Sequence, residues 1–192
     1  MKIHDISRDL VTAPIYPGDP NPKLTKIADL ENGDYANISH LSACLHSGTH
    51  LDAPLHFYAN GDDIASIDLH KVIGECMVIE WDGVMLGTDA EKLLPRLDHQ
   101  ERVLFKGTAQ LTQSAAFVWI DAGVKLIGVE GTSVAVAAET ATVHRDILSS
   151  GALILEGLDL SDIPMGRYFL FAAPIKIENV EGAPVRALLI ER

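Results

Sequence analysis

The residues with the clearest chemical meaning are three histidines and one aspartate within residues 46–56, which read HSGTHLDAPLH. A glycine and a proline disfavour a regular helix there, so the segment is predicted to be a turn and a strand end. In extended backbone alternate side chains share a face, which puts His50 and Asp52 on the same side. A bend at Gly48 would bring His46 to the same point. Imidazole and carboxylate groups together suit Zn²⁺, Mn²⁺, Fe²⁺ or Co²⁺, so the segment is predicted to be a metal site.

Two further metal-competent residues stand in stretches that otherwise read as core. His144 lies three residues after Ala141 and four before Leu148, which places it on the apolar face of a predicted helix. Glu156 shares a strand face with Ile154 in the apolar run ALILEGL. A buried, unpaired carboxylate is costly, so we expect Glu156 to be neutralised, paired or metal-bound. Taken alone, each residue is better explained by a core hydrogen bond or an ion pair, but their occurrence on adjacent elements weakens that explanation.

The elements that must position these residues are strands interspersed with helices. Dense proline and glycine predict a loop over residues 14–22. A helix is predicted over residues 132–150, capped by Ser133 or Thr132 and ended by Gly151. Another short helix is predicted at 88–97, and strands at 38–45, 76–81, 103–106, 152–158, 174–180 and 184–190, the last two separated by the turn sequence EGAP. We therefore expect one mixed α/β domain spanning residues 1–192.

Composition narrows the class of partner. The chain has 192 residues, 47% of them hydrophobic, and a formal net charge of −12, which repels phosphate backbones and anionic membrane surfaces. Cys44 and Cys76 form no CxxC pair, so a thiolate metal site is not supported. No secretory signal or long apolar span is recognisable. We expect a cytoplasmic protein that acts on a small molecule and binds neither nucleic acid nor membrane.

The histidine-rich segment resembles the hallmark H-x-G-T-H-x-D-x-P-x-H of the cyclase-like metal-dependent hydrolases, a family that includes the bacterial kynurenine formamidases. Every fixed position matches, from His46 to His56. The resemblance continues at the P-G-D turn of residues 17–19, in HRDILSSGALILEGL from His144, and in the C-terminal PIKIENVEGAPVRALLI. It covers nearly the whole chain. The resemblance implies a swivelling β/α/β domain that assembles as a homodimer or homotetramer.

Transferred residue by residue, the resemblance implies a site for two divalent ions. His46, His50 and Asp52 would hold one ion. Asp52 and Glu156 would bridge to a second ion, to which His144 also belongs. We expect Zn²⁺, with Mn²⁺ as the alternative.

The reaction that this site implies is hydrolysis of an amide-like bond by hydroxide generated between the two ions. Arylformamides, lactams and related acyl bonds all fit. His56, with an ordinary pKa of about 6.5, would act as the acid and base outside the coordination spheres. Kynurenine formamidases typically have a tryptophan before the P-G-D turn, where this chain has Tyr16. Tyr16 is therefore a candidate substrate contact, and N-formylkynurenine, with a place in tryptophan catabolism, is one substrate among several.

Two other functions also fit parts of the pattern. His50, Asp52 and His144 would satisfy the two-histidine, one-carboxylate triad of a non-haem Fe(II) oxygenase. That triad leaves His46, His56 and Glu156 without roles, and a long helix fits poorly with the all-β scaffold usual for such enzymes. The chain could also be a metal-loaded family member without catalytic activity, although the presence of His56 argues against this.

Overall fold

A computed structural model describes residues 1–191 of the chain. Its strands are β1 (Lys2–Asp5), β2 (Lys23–Ala28), β3 (Ile38–Ser42), β4 (His50–Asp52), β5 (Ile73–Glu80), β6 (Val84–Met85), β7 (Arg102–Lys106), β8 (Gln110–Leu111), β9 (Leu126–Val129), β10 (Leu153–Glu156), β11 (Gly166–Phe171), β12 (Gly182–Pro184) and β13 (Leu188–Glu191). Its α-helices are α1 (Gly87–Leu93), α2 (Gln113–Asp121) and α3 (Thr140–Ser149). None of the helices in residues 1–191 is long and apolar enough to cross a membrane.

The centre of the fold is a curled mixed sheet. Over the described residues it has nine strands, in the order β1-β13-β11-β5-β7-β9-β10-β4-β12. The four central strands β5, β7, β9 and β10 run parallel to one another, and the pairs on either side of them are antiparallel. The short strand β4 therefore lies beside β10, in a register that pairs His50 with Glu156. The fold is mixed α/β, as the sequence predicts.

Alternating side chains give the central strands two apolar faces. Val103 and Phe105 belong to one cluster of buried residues, and Leu104 between them belongs to the other. The first cluster also contains the inward faces of the three α-helices, including the fully buried Trp119. The second contains residues from β4 to β13, including Leu189, on the other side of the curled sheet. Burial of each large side chain contributes about 1.5–3 kcal/mol, so these clusters fix the strands that carry the site.

The helix predicted over residues 132–150 begins later than expected. Helix α3 starts at Thr140, after a 3₁₀ turn at Ala137–Glu139. Residues 134–136 are extended instead, because the N–H of Leu111 bonds to the carbonyl of Val134, and the N–H of Val136 bonds to the carbonyl of Leu111. The predicted cap at Ser133 or Thr132 is therefore wrong, whereas Gly151 has the expected left-handed conformation after the helix, with φ of 84°.

The C-terminal strands are also arranged differently from the prediction. Residues 174–180 form an isolated bridge, between Pro174 and Val185, rather than a strand. The predicted turn EGAP is instead largely strand β12, because β4 offers an unpaired edge on which Gly182 pairs with Asp52. Pro184 is tolerated at this position since β12 is itself an edge strand. Seven further elements have no counterpart among those predicted from the sequence: β1, β2, β6, β8, β9, β11 and α2.

Candidate metal centre

The turn before β4 brings His46 towards the strand. Gly48 adopts a positive φ of 66°, and a Cβ on it would lie 3.0 Å from the main chain of Leu10, so the position requires glycine. His50 and Asp52 then extend from the same face of β4 and are buried, as the alternation predicts. The bend at Gly48 inferred from the sequence is confirmed.

Asp52 lies at the centre of the group. Its Oδ1 is 2.9 Å from Nδ1 of His46 and 3.5 Å from Nε2 of His50. Its other oxygen, Oδ2, is 3.8 Å from Nε2 of His144. The two oxygens of one carboxylate thus face different histidines, which is the arrangement that lets a carboxylate bridge two cations.

Glu156 faces the same point from β10. Its Oε1 is 3.2 Å from Nε2 of His144, and its Oε2 is 3.5 Å from Nε2 of His50. The N–H of Val134 donates a 2.7 Å hydrogen bond to Oε1. The extended segment that replaces the start of the predicted helix therefore holds this carboxylate in place.

Backbone carbonyls fix the orientation of two of the rings. The Nδ1–H of His50 donates to the carbonyl of Gly48 at 3.0 Å, and the Nδ1–H of His144 donates to the carbonyl of Thr140 at 2.7 Å. Since a carbonyl can only accept, Nδ1 carries the proton in both residues. The neutral forms therefore present the Nε2 lone pair to the carboxylates, which is the state that a metal ligand needs.

The residues fit one or more divalent cations. Among residues 1–191, two groups of side chains have ligand atoms within 4.8 Å of one another: His46 with His50 and Asp52, and Asp52 with His144 and Glu156. Nε2 of His50 and Oδ2 of Asp52 are buried without a hydrogen bond in the described part of the chain. Buried polar atoms of this kind are costly unless something coordinates them. Imidazole and carboxylate donors without thiolates suit Zn²⁺ or Mn²⁺.

The electrostatics of the site favour positive charge. Burial by itself lowers the pKa of His50, but the Glu156 carboxylate, 3.5 Å from its Nε2, and the charge of Asp52 outweigh it and raise the pKa to about 9. The pKa of His144 is also raised, against burial, by its bond with Glu156. Burial raises the pKa of Asp52, yet the hydrogen bond from His46 and the neighbouring imidazoles lower it overall. A cation that replaces the protons would satisfy the same carboxylates.

His56 lies beside the group, in a 3₁₀ turn at Pro54–His56. Its ring centroid is 4.2 Å from that of His46 and 4.5 Å from that of Phe57. Burial lowers the pKa of His56, and the charge of Asp52 opposes this only in part. His56 is therefore neutral at physiological pH and can accept a proton.

A cavity of about 270 Å³ opens above these residues. Its lining combines four imidazoles, two carboxylates, the aromatic rings of a tyrosine and a phenylalanine, and three serine or threonine hydroxyls: Tyr16, Asp19, His46, His50, His56, Phe57, Thr132, Ser133, Thr140, His144 and Glu156. Tyr16 lies at the cavity, as the resemblance implies, and its side chain is partly exposed. The structure thus brings together all seven candidate residues, of which Asp52 alone lies beneath the cavity and not on its surface.

Some contacts at the site carried no usable signal in the sequence. The carbonyls of Gly48 and Thr140 are main-chain groups, which any residue would supply. Phe57 tilts against His144 at a centroid distance of 5.1 Å, and adjacency to His56 was its one detectable clue. Glu181 has Oε1 3.4 Å from Nε2 of His46, but it lies 135 positions further along the chain.

Comparison with known proteins identifies similar sequences over the whole chain. A family model described as "Putative cyclase" matches residues 4–136. The chain is 37% identical to the kynurenine formamidase of Erythrobacter litoralis (strain HTCC2594), over 99% of this chain and 94% of that protein. Both matches include the segment that carries His46 to His56.

Solved structures share the fold. A protein of Bacillus stearothermophilus described as a predicted metal-dependent hydrolase is 30% identical, with a TM-score of 0.83, over 100% of this chain and 98% of that one. An isatin hydrolase bound to the product analogue thioisatinate has a TM-score of 0.84 over 100% of this chain and 93% of its own, at 20% identity. At that identity the likeness concerns the fold alone. These neighbours agree with the expected swivelling β/α/β domain.

Proposed function

The chain belongs to the cyclase family, and we propose that it is a metal-dependent hydrolase of amide-like carbon–nitrogen bonds in small molecules. Side chains from three separate segments meet around Asp52, and this convergence is the observation on which the proposal depends. Asp52 faces three imidazoles and Glu156 faces two, and His50 and His144 direct Nε2 inwards. Nε2 of His50 and Oδ2 of Asp52 are buried without a hydrogen bond in the described part of the chain, which disfavours a purely structural ion-pair cluster.

We assign the metal ligands as two overlapping sets. His46, His50 and Asp52 would hold one divalent ion, and Asp52, His144 and Glu156 a second, with Zn²⁺ expected before Mn²⁺. When bound, such ions lower the pKa of water and polarise a carbonyl oxygen. The chain's own contribution is to fix the rings of His50 and His144 through the carbonyl acceptors behind Nδ1, so that Nε2 of each ring faces the carboxylates.

His56 is assigned as the acid and base. It lies against the ring of His46 on the cavity side, whereas Asp52 lies beneath the cavity. Its lowered pKa keeps it neutral at pH 7, so it can take the proton of the attacking water and return it to the leaving nitrogen. Phe57 packs edge-on against the same ring and restricts its orientation.

The cavity favours a small, flat substrate. Tyr16 and Phe57 offer aromatic surfaces, and the hydroxyls of Thr132 and Ser133 offer hydrogen bonds. Arylformamides and lactams fit this lining, and the name of one relative, a kynurenine formamidase, supports the arylformamides. We propose N-formylkynurenine as the first of these to test.

The experiment is to purify the protein without chelator, measure bound metal per chain, and assay the same sample with N-formylkynurenine, aryl formamides and lactams. About two ions per chain and hydrolysis that a chelator abolishes and Zn²⁺ or Mn²⁺ restores would support the proposal. Stable metal binding without any hydrolysis would favour the non-catalytic alternative. Oxygen consumption that depends on Fe²⁺ and a keto acid would favour the oxygenase alternative. Two findings argue against that alternative: the chain belongs to the cyclase family, and His46 and Glu156 are part of the site.

We also propose that the protein is a homodimer or homotetramer and that a second copy covers the hairpin of β2 and β3. This hairpin is a two-stranded sheet separate from the main one, and such hairpins are marginally stable alone in water. Leu24 and Leu41 are paired across it and are 58% and 47% exposed. The two strands carry Lys23 and Lys26 and no acidic residue, whereas the whole chain has a charge of −12, so a second copy offers a surface of opposite sign.

Sedimentation analysis of Leu41→Glu tests this assembly. We expect a smaller species than the wild type, because the new charge would be buried against the second copy. Phe117→Glu, at an exposed position of α2, is the control and should leave the mass unchanged. A monomeric wild type would contradict the proposal. We also propose that nucleic acid and anionic membranes are not partners, because the negative net charge of the chain repels them. The cytoplasmic location stays a prediction.

A further inference from the structure

The three histidines at the centre differ in how their outward nitrogens are satisfied. His50 and His144 each point Nε2 inwards and bond to a carbonyl through Nδ1. His46 is reversed: its Nδ1 faces Asp52 at 2.9 Å and its Nε2 points away. That Nε2 is buried and has no hydrogen bond within residues 1–191. Within the described residues, no carbonyl accepts a hydrogen bond from His46 as those of Gly48 and Thr140 do from His50 and His144.

The side chain of Glu181 lies on the outward side of the His46 ring, in the position that corresponds to those carbonyls. Oε1 of Glu181 lies 3.4 Å from Nε2 of His46. The main chain of Glu181 is fixed, because its carbonyl accepts a 2.9 Å hydrogen bond from the N–H of Ala53, next to Asp52. The side chain is 39% exposed, so it can adjust its rotamer against the buried ring.

The next residue shapes the space for the ring. Gly182 pairs with Asp52 in the sheet, and a Cβ on it would lie 2.9 Å from Cε1 of His46. The ring is thus confined between the main chain of β12 and the ring of His56, whose centroid is 4.2 Å away. Confinement fixes where the ring lies, but it does not decide which nitrogen carries the proton.

We propose that Glu181 is a positioning residue for the metal site: it accepts the Nε2–H of His46 and so keeps the Nδ1 lone pair directed at the cation. The inference rests on the proposed function, since it requires that His46 be a ligand. Carboxylates behind ligating histidines fix the tautomer, orient the ring and raise its basicity, and loss of such a partner typically weakens metal affinity about 10–100-fold. Because Glu181 is partly exposed, solvent screening puts the expected effect towards the lower end of that range.

The experiment compares the wild type with Glu181→Gln and Glu181→Ala. Zn²⁺ affinity is measured by competition with a chromophoric chelator, and the ligand field by the visible absorption of Co²⁺-loaded protein. We expect affinity to fall about 10-fold in Glu181→Ala and less in Glu181→Gln, whose amide oxygen can still accept. The Co²⁺ spectrum should shift in Glu181→Ala, which a merely structural role would not produce. Glu178→Ala, three residues earlier and exposed, is the matched control and should change neither quantity.

The outcomes separate the two hypotheses. If the wild type binds metal but Glu181→Ala has the affinity and spectrum of Glu178→Ala, Glu181 does not position His46 and the proposed function stands. If Glu181→Ala loses a whole ion even at saturating Zn²⁺, Glu181 is a ligand, and the positioning role is wrong. A wild type that binds no metal would refute the proposed function together with this inference. Thermal unfolding of the chelator-treated variants shows whether each is folded.

Discussion

The hydroxyl of Thr49 donates a 2.6 Å hydrogen bond to the carbonyl of Gly157, although 108 positions separate the two residues. The same oxygen accepts a 2.8 Å hydrogen bond from the N–H of Arg8. This buried hydroxyl joins the turn that carries His46 to the end of the strand that carries Glu156. Thr49 therefore has a structural role within the histidine-rich motif, because its hydroxyl sets the distance between the two halves of the site.

Thr49→Val should destabilise the protein. The substitution keeps the shape of the side chain but leaves the N–H of Arg8 and the carbonyl of Gly157 without their partner, at a cost of about 1–3 kcal/mol for each group left buried. For a protein of this size each 1 kcal/mol lowers Tm by about 2–4 °C. Calorimetry checks this, with Thr25→Val on the exposed strand β2 as control. Equal Tm values for the two variants would show that the hydroxyl is not needed.

His56→Ala should keep its metal and lose most of its activity. The imidazole lies outside the proposed ligand sets, and loss of a general acid and base typically costs about 10²–10⁴-fold in turnover. Metal analysis and kcat on the best substrate of the panel check this together, with exposed His40→Ala as control. Loss of an ion from His56→Ala would instead make it a ligand.

Asp52→Ala should show the opposite pattern and lose at least one ion. Its two oxygens face histidines of both proposed sets, and no other carboxylate of the described site faces His46 at under 3 Å. Metal content after dialysis is the measurement, and Asp121→Ala, on the exposed end of α2, is the control. Full occupancy in Asp52→Ala would contradict the bridging role.

The chelator-treated protein should become less stable as pH rises from about 6.5 to 9. The folded pKa of His50 is raised to about 9, above the unfolded value near 6.5, so its stabilisation is complete below 6.5 and is lost as pH approaches 9. The raised pKa values of His46 and His144 act in the same direction. The pKa of His56 is lowered, so the effect of its titration on stability lies at pH values below 6.5.

Thermal unfolding at pH 6, 7, 8 and 9 measures this dependence. Metal-loaded protein is the comparison and should lack the decline, because metal competes with protons and binds more tightly as pH rises. A chelator-treated protein whose Tm is constant or increases over this range would show that the carboxylates do not hold these histidines protonated.

Substitution of Tyr16 should weaken the binding of aryl substrates and leave the hydrolysis of substrates without a ring unchanged. Tyr16 lines the cavity but is not among the proposed ligands. Tyr16→Ala should raise KM for aryl substrates by about 5-fold, as expected for loss of one aromatic contact of about 1 kcal/mol. Formamide, which lacks a ring, should be hydrolysed equally by both proteins. Equal KM values for an aryl formamide would mean that Tyr16 does not contact the ring.

The sequence by itself identified the chemistry of the site and the class of fold. The spacing of His50 and Asp52 was enough to place them on one face, because the alternation of side chains along a strand is a local property. The apolar surroundings of His144 and Glu156 were enough to mark both as buried. Family membership and the mixed α/β fold are confirmed, whereas the roles of the individual site residues stay predictions.

Only the tertiary structure decided which segments meet. The start of the predicted helix is extended because residues 134–136 bond to Leu111, and the EGAP turn is an edge strand because β4 is available beside it. The same long-range pairing puts Glu181 beside His46, across 135 positions of chain. Local propensity depends on a residue's neighbours in sequence, but a hydrogen bond to a distant strand depends on how the whole sheet curls, which no short segment encodes.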